Sequence, residues 1–225
     1  IVEGESGPSL IARMTEQAAK FGAERVSDTI KEVSLEGDVK VLKGEKGEYQ
    51  AKNIIIATGA HARPIGCKGE AEFLGRGVSY CAVCDGPFFK EKTAAVVGGG
   101  SAALQDALYL AGICSKVYLI HRRDTFRAEK SLIDQVMAEE NIECVMESRV
   151  TALIGEKKLT ELEVTNLSGE KKTLVADGLF VAIGMEPHNE VFRDLVDLDE
   201  AGYVIAGENC KTRTPGVYAA GDCRT

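Results

Sequence analysis

One short segment constrains the fold of this chain more than any other. The apolar run Thr93–Val97 leads directly into Gly98-Gly99-Gly100, and a helical pattern follows from Ala102 to Gly112. A strand, a glycine turn and a helix in this order open a β-α-β unit. The segment therefore predicts a parallel sheet with right-handed crossovers.

The same turn predicts a ligand. Gly98 allows the tight turn, Gly100 lets the backbone approach a pyrophosphate, and Ala103 permits the helix to pack closely on the strand. Ser101 and Ala102 open the helix, whose N-terminal N–H groups attract an anion. Because this G-x-G-x-x-A pattern lies between a strand and a helix, it favours dinucleotide binding over a merely structural glycine turn.

The other patterns complete an α/β fold. Strands are predicted at 53–58, 93–97, 116–121, 142–146, 178–184 and 216–221, helices at 6–21, 102–112 and 130–141, and β-meanders within 26–49 and 150–175. The run at 53–58 is continuously apolar, so we expect it to be buried on both faces. The pattern predicts a Rossmann-like domain at 65–187, with a parallel sheet plus a β-meander. This domain is inserted between two pieces of another domain, at 1–64 and 188–225.

The end of the strand after the glycine turn discriminates between the two nicotinamide cofactors. An NAD site usually carries Asp or Glu about 20 residues past the glycines, where the carboxylate binds the ribose 2′-hydroxyl. This chain has His121-Arg122-Arg123-Asp124 at that point, with Arg127 close behind. Guanidinium groups form charge-assisted hydrogen bonds to a 2′-phosphate. The pattern favours NADPH over the alternative of a solvated basic loop.

A pair of cysteines precedes the glycine turn. Cys81 and Cys84 form a C-x-x-C pair, and Asp85 follows directly. An acid beside the pair can deliver and remove the proton that two-electron sulfur chemistry requires, and a short helical turn would favour a thiolate. A zinc site needs more ligands than this chain groups together, so no metal is expected. The other five cysteines are interpreted as core or loop residues without a redox role.

Composition excludes several classes of function. The formal net charge is −8, and nucleic-acid binding requires a basic face, so nucleic acid is not expected as a partner. Apolar runs are too short for a membrane span. Seven cysteines at irregular spacing are unlike a secreted disulfide framework. The cytoplasm is therefore the expected compartment.

Four motifs occur in a fixed order along the chain: G-V-S-Y-C-A-V-C-D-G-P-F-F, V-V-G-G-G-S-A-A, H-R-R-D-T-F-R-A and G-V-Y-A-A-G-D. Together they resemble bacterial-type, low-molecular-weight thioredoxin reductase, over essentially the whole chain. The resemblance implies a homodimeric NADPH-dependent thioredoxin-disulfide reductase. In such an enzyme, electrons pass from NADPH through FAD and the Cys81–Cys84 disulfide to thioredoxin or a thioredoxin-like protein.

The resemblance also implies a role for each site residue. Cys84 would be the flavin-proximal thiol, Cys81 the thiol that attacks the thioredoxin disulfide, and Asp85 the acid/base. NADPH would be held by the glycine turn and, at its 2′-phosphate, by Arg122, Arg123 and Arg127, with His121 nearby. FAD would contact Thr58-Gly59 and Gly221-Asp222. The inserted domain would rotate about connections near 60–66 and 184–189.

The chain departs from that family at both ends, where a first FAD-binding strand–turn–helix and a final helix are expected. We therefore expect an incomplete FAD-binding domain and, for this chain alone, an NADPH-binding module without turnover. The flavoprotein subunit of alkyl hydroperoxide reductase and a specialised or ferredoxin-linked reductase are the alternatives within the fold. A non-catalytic NADPH-binding module is the alternative from a different class.

Overall fold

The computed structural model describes residues 6–35 and 37–225. Contacts divide the chain into two compact units, Ile1–Thr58 with His188–Thr225 as the first and Gly59–Pro187 as the second. The domain boundaries inferred from the sequence stay predictions, because a compact unit is defined by contacts and a domain by independent folding. In the described residues, no helix has the length and apolar character needed to cross a membrane.

Helices and strands follow one another along both units. In chain order they are α1 (Gly7–Lys20), β1 (Ile30–Ser34), β2 (Lys40–Gly44), β3 (Glu48–Ala51), β4 (Ile54–Ile56), β5 (Ala60–Ala62), α2 (Glu70–Phe73), β6 (Val78–Ser79), α3 (Ala82–Asp85), β7 (Thr93–Val97), α4 (Ser101–Ala111), β8 (Lys116–Ile120), α5 (Lys130–Ala138), β9 (Ile142–Val145), β10 (Ser148–Gly155), β11 (Leu159–Asn166), β12 (Lys171–Val175), β13 (Gly178–Val181), β14 (Met185–Pro187) and β15 (Val217–Ala219). Short 3-10 turns lie at Gly86–Phe89 and Glu190–Phe192.

Helix α1 is the first element among the described residues of the first unit, and it lies where the sequence predicts a helix. Ser6 caps the helix by accepting a hydrogen bond from the Ser9 N–H at 3.3 Å, and Ser9 Oγ accepts the Ser6 N–H at 2.9 Å. Pro8 lies in the first turn, where its missing donor costs nothing. The apolar stripe of this helix is solvent-exposed, since Leu10 is 44% and Met14 55% exposed.

The described part of the first unit also contains two small sheets. The predicted meander is the antiparallel sheet β1-β2-β3, and β4 pairs in parallel with β15. The core of the unit includes Ile56, Val204 and Val217. The prediction that the run at 53–58 is buried on both faces is wrong, because Ile55 is 68% exposed. Within residues 6–35 and 37–225, only one face of the two-stranded β4–β15 sheet is covered by that core, and alternate side chains of a strand point to opposite faces.

The second unit is built on a five-stranded parallel sheet of order β6-β13-β7-β8-β9. Its strand β13 is apolar without alternation, and every residue of that strand is buried. Such strands need cover on both faces. A cluster that includes Leu104 and Leu110 of α4 covers one face, and a cluster that includes Leu162 of β11 and Leu174 of β12 covers the other.

The predicted second meander is the antiparallel sheet β10-β11-β12. Its burial alternates along β11, where Leu162 and Val164 are buried in the core while Glu161 and Glu163 are less so. This alternation is typical of a sheet with one face on a core and one toward water. The second unit therefore consists of three layers: helices, parallel sheet and meander.

The segment at 61–77, which contains none of the helices or strands predicted from the sequence, is partly ordered into regular structure. Its start belongs to β5, which pairs antiparallel with β14 so that His61 lies opposite Glu186. Glu186 accepts hydrogen bonds from His61 Nε2 at 3.1 Å and from Arg63 Nε at 3.2 Å. Residues 125 positions apart thus form a two-stranded ribbon, a pairing that no local pattern signals.

Candidate functional site

In the second unit, the parallel sheet brings the predicted site residues to one edge. The carboxyl ends of β6, β7 and β8 lead into Cys81, Gly98 and His121 respectively. Parallel strands have their carboxyl ends at the same edge, and open α/β sheets bind ligands outside that edge. The cysteine pair, the glycine turn and the arginine loop therefore share an edge although they come from separate strands.

The glycine turn combines a tightly packed glycine with an open one. Gly98 has φ +156°, and a Cβ there would collide with the carbonyl oxygen of Ala182 and lie 2.6 Å from the Cβ of Ala103. Gly100 is the N-cap of α4 and has no side-chain cap. A Cβ at Gly100 would have no atom within 4 Å. Gly98 is therefore a packing requirement, and Gly100 leaves space beside the first N–H groups of α4, which fits a pyrophosphate.

Gly99 is a residue that the sequence analysis missed. A Cβ on Gly99 would collide with the imidazole ring of His121. The G-x-G-x-x-A pattern requires glycine at its first and third positions only, so a glycine at the second position, between them, was the available signal. The reason for this glycine is the ring of His121, which follows the next strand, β8.

The structure buries His121, which is 8% exposed. Its Nε2 lies 3.1 Å from the Thr125 carbonyl oxygen, and its ring stacks on Phe126 with centroids 5.6 Å apart. Burial lowers the pKa of His121, and nearby Arg122 and Arg127 add to this effect, while the hydrogen bond to Thr125 acts in the opposite direction. A neutral imidazole that donates to Thr125 shapes the loop that carries the arginines.

Three arginines of that loop are exposed: Arg122, Arg123 and Arg127. The backbone of Arg127 is tied to the glycine turn, since its N–H donates to the Gly99 carbonyl at 2.6 Å and Arg127 forms a parallel bridge with Gly100. Main-chain contacts therefore connect the glycine turn, the predicted pyrophosphate site, to the arginine loop, the predicted 2′-phosphate site.

Cys81 and Cys84 form a disulfide. Cys81 is the N-cap of α3, and its Sγ accepts the Cys84 N–H at 3.2 Å. Cys84 is exposed and Cys81 is half-buried. Two large apolar side chains close to the pair in sequence are also exposed, Val83 at 66% and Phe88 at 72%. The disulfide is therefore accessible at a partly apolar surface.

Asp85 is half-buried at the end of α3. Its Oδ2 accepts a hydrogen bond from Ser79 Oγ at 2.6 Å, and Ser79 Oγ accepts the Cys81 N–H at 3.0 Å. Ser79 is 6% exposed and was not predicted as a site residue. A single serine before a cysteine pair carries no sequence signal, because serine is common at strand ends.

A buried carboxylate, that of Glu70, holds the segment before the cysteines in place. Glu70 is 6% exposed and accepts the N–H groups of Ile65 and Gly66 at 2.9 and 2.7 Å and the Tyr80 hydroxyl at 3.0 Å. Burial, with help from Glu70, raises the pKa of Tyr80 to about 12 and that of Cys67 to about 11. Cys67 therefore remains a thiol at neutral pH and is a poor nucleophile.

In the first unit, the predicted flavin residues Thr58, Gly221 and Asp222 follow the paired strands β4 and β15. Thr58 Oγ1 donates to Asn189 Oδ1 at 2.9 Å, and Asn189 Nδ2 donates to the Gly202 and Cys223 carbonyls. Asn189 is 2% exposed and was also missed. It joins three loops at the carboxyl edge of this strand pair.

Two glycines flank those strand ends. Gly221 has φ +77° and Gly59, where the chain enters the second unit, has φ +69°, and a Cβ at either would have no atom within 4 Å. Asp222 is exposed. The open backbone at Gly221, directly before the exposed Asp222 in the chain, fits the approach of a hydroxyl-rich group.

Comparison with known proteins places this arrangement in a family. The model of the pyridine nucleotide-disulphide oxidoreductases matches residues 5–225. The chain belongs to this family. It is therefore an oxidoreductase with an α/β fold. The parallel sheet and the Cys81–Cys84 disulfide described above agree with this assignment.

Individual relatives cover nearly all of the chain. Thioredoxin reductase of Peptoclostridium acidaminophilum is 45% identical over 230 residues, which span 99% of this chain and 73% of that protein. Thioredoxin reductase of Streptomyces clavuligerus is 41% identical, over 98% of this chain and 69% of that protein. The crystal structure of Lactococcus lactis thioredoxin reductase in its FR conformation aligns with a TM-score of 0.76 and 36% identity, over 100% of this chain and 77% of that one.

Proposed function

We propose that this protein is a thioredoxin reductase that uses NADPH and FAD. The overall reaction is NADPH + H⁺ + thioredoxin disulfide → NADP⁺ + thioredoxin dithiol. The observation that carries the proposal is the Cys81–Cys84 disulfide at the same sheet edge as the glycine turn. The curated relatives named above support the same reaction.

In this proposal, the second unit binds NADPH. The N-terminus of α4 and the open space at Gly100 receive the pyrophosphate, with Ser101, Ala102 and Ala103 in the first turn. Arg122, Arg123 and Arg127 bind the 2′-phosphate through charge-assisted hydrogen bonds. His121 supports the arginine loop from inside through its contact with the Thr125 carbonyl, and its role as a cofactor-binding residue near the 2′-phosphate stays a prediction.

The two cysteines divide the sulfur chemistry between them. Cys81 is proposed as the thiol that attacks thioredoxin, because the Cys84 N–H that reaches its sulfur favours a thiolate there. Cys84 is proposed as the thiol next to the flavin. Asp85 exchanges the proton that accompanies opening and closing of the disulfide.

FAD is assigned to the first unit. Thr58, Gly221 and Asp222, with Gly59 at the chain's exit, would hold it, and the open glycines fit its approach. When bound, FAD supplies two-electron transfer between NADPH and the disulfide. Asn189 would keep the loops of that site in place through its buried hydrogen bonds.

The partner is proposed to be a thioredoxin-like protein that docks at the exposed disulfide. Val83 and Phe88 provide apolar contact area beside the reacting sulfur, as buried cores of protein interfaces require. We further propose a homodimer, by analogy with the family. A cytoplasmic location is supported by five free cysteines that stay unpaired beside one disulfide.

The first experiment measures NADPH oxidation by the purified protein with FAD and oxidised thioredoxin. Cys81→Ser should abolish thioredoxin reduction, since a serine cannot form the mixed disulfide. Cys210→Ser is the matched control, because Cys210 is a free cysteine outside the site, and it should retain full activity. Thioredoxin reduction that survives Cys81→Ser would refute the proposal.

A further inference from the structure

Ser79 connects the candidate acid/base to the backbone of the cysteine pair. Its hydroxyl oxygen lies 2.6 Å from Asp85 Oδ2, 3.0 Å from the Cys81 nitrogen and 3.3 Å from the Cys81 carbonyl oxygen. Ser79 is 6% exposed and ends β6, so its position is fixed by the parallel sheet.

Chemistry decides the direction of these hydrogen bonds. The Cys81 N–H is a donor, so the Ser79 oxygen must accept it. The hydroxyl has one proton and two candidate acceptors, Asp85 Oδ2 and the Cys81 carbonyl. The proton goes to Asp85, because that contact is shorter by 0.7 Å, the difference between 3.3 and 2.6 Å, and hydrogen bonds to a carboxylate are the stronger kind.

We propose that Ser79 is a positioning residue for Asp85 in the opening and closing of the Cys81–Cys84 disulfide, an inference that rests on the proposed function. The Ser79 hydroxyl donates to Asp85 Oδ2 and accepts from the Cys81 N–H, so it fixes the orientation of the carboxylate relative to the Cys81 backbone. The other carboxylate oxygen, Oδ1, is then available for proton exchange. Without the hydroxyl, rotation of the Asp85 side chain would no longer break this hydrogen bond, and the carboxylate would spend less time where the departing sulfur needs a proton.

A test that needs neither NADPH nor FAD is reduction of the disulfide by dithiothreitol. One thiolate of the reagent bonds to a cysteine sulfur, the Cys81–Cys84 bond breaks, and the departing thiolate takes a proton that Asp85 relays from solvent. The second thiol of the reagent then displaces the remaining cysteine, giving oxidised dithiothreitol and the protein dithiol. Quenching with an alkylating agent and mass measurement give the rate.

We expect Ser79→Ala to slow this reduction roughly tenfold, the lower range for losing a hydrogen bond to a charged group. Asp85→Asn should slow it at least as much, and the double variant should equal Asp85→Asn alone, because one residue acts through the other. Ser79→Thr keeps the hydroxyl and should restore most of the rate. The pH profile of Ser79→Ala should follow that of Asp85→Asn.

Ser148→Ala is the matched control, since Ser148 is another serine of the second unit that is 6% exposed, and its hydroxyl donates to the Met146 carbonyl at 2.9 Å. It should leave the rate unchanged. The proposal is overturned if Ser79→Ala behaves like Ser148→Ala, or if the effects of Ser79→Ala and Asp85→Asn multiply. A wild-type protein that reacts with dithiothreitol as expected but reduces no thioredoxin would refute the proposed function and leave the Ser79 result standing.

Discussion

Strands β4 and β13 have the same kind of sequence and different surroundings. Each is a continuous apolar run that ends near a glycine, Ile54–Ile56 before Gly59 and Gly178–Val181 before Gly184. All of β13 is buried, whereas Ile55 in the middle of β4 is 68% exposed. β13 has a strand on either side and layers above and below it, whereas among the described residues β4 has one partner strand, β15.

The difference shows that an apolar run predicts a strand more securely than it predicts burial. Burial depends on what covers each face, and the covering elements come from distant parts of the chain.

The two sheets that contain β13 and β4 also differ in the charged residues that follow the carboxyl ends of their strands. Arginines follow β8 in the second unit, and Asp222 follows β15 in the first.

The largest difference in stability between variants of β13 and β4 is expected from a substitution of Phe180 in β13. Its ring is 1% exposed and packs edge-on against Phe89, with centroids 5.3 Å apart. Phe180→Ala should lower the free energy of unfolding by about 3–5 kcal/mol, because a large cavity remains in a sheet covered on both faces. Urea denaturation followed by circular dichroism measures the change. Ile55→Ala in β4 should cost less than about 0.5 kcal/mol, as for an exposed position, and equal losses would contradict the comparison.

The glycines of the two units give the next test. Gly98→Ala must place a Cβ against the Ala182 carbonyl, and at Gly221 the same change meets open space at φ +77°. Gly98→Ala should destabilise the protein by roughly 2–4 kcal/mol, from overpacking together with backbone strain. Gly221→Ala should cost about 1 kcal/mol, from strain alone. Thermal unfolding compares them, and a Gly221 variant as damaged as the Gly98 variant would show that its surroundings are tighter than described.

The charge difference between the strand edges predicts cofactor selectivity. Arg122→Ala combined with Arg123→Ala should raise the KM for NADPH roughly a hundredfold, the effect of two partly screened charge-assisted bonds, and leave the KM for NADH nearly unchanged. Steady-state kinetics with both cofactors provide the measurement. Arg149→Ala, also exposed and in the second unit, is the control. Equal losses with NADPH and NADH would mean that the arginine pair is structural.

The smallest expected effect is the pH dependence of stability from His121. Its pKa in the folded protein lies below the value of 6.5 for a free side chain because of burial. The unfolded chain therefore binds more protons below pH 6.5, and the stability present above that pH is lost progressively as the pH falls toward the folded pKa. Wild type should lose more stability between pH 7.5 and pH 5.5 than His121→Gln, as measured by the midpoint of thermal unfolding. An identical pH dependence in the two proteins would show that His121 is not the group responsible.

Much of this fold is predictable because its signals are local. The run at 93–97, the glycine turn and the helix after it are neighbours in sequence, and the structure contains β7, α4 and β8 where the pattern predicts them. The helix predicted to reach Asn141 ends earlier, at Ala138. The ribbon of β5 and β14 could not be predicted, since its strands are over a hundred residues apart and each has three residues.

The site divides in the same way. The sequence alone determined the C-x-x-C pair, its neighbouring acid, the glycine turn and the arginine run, because each is a contiguous motif whose chemistry follows from residue type and spacing. The tertiary structure alone decided that Ser79 bonds Asp85, that Gly99 makes room for His121 and that Asn189 joins three loops. Those contacts depend on which strands become neighbours in the sheet, and strand order is fixed by packing across the whole unit rather than by any local pattern.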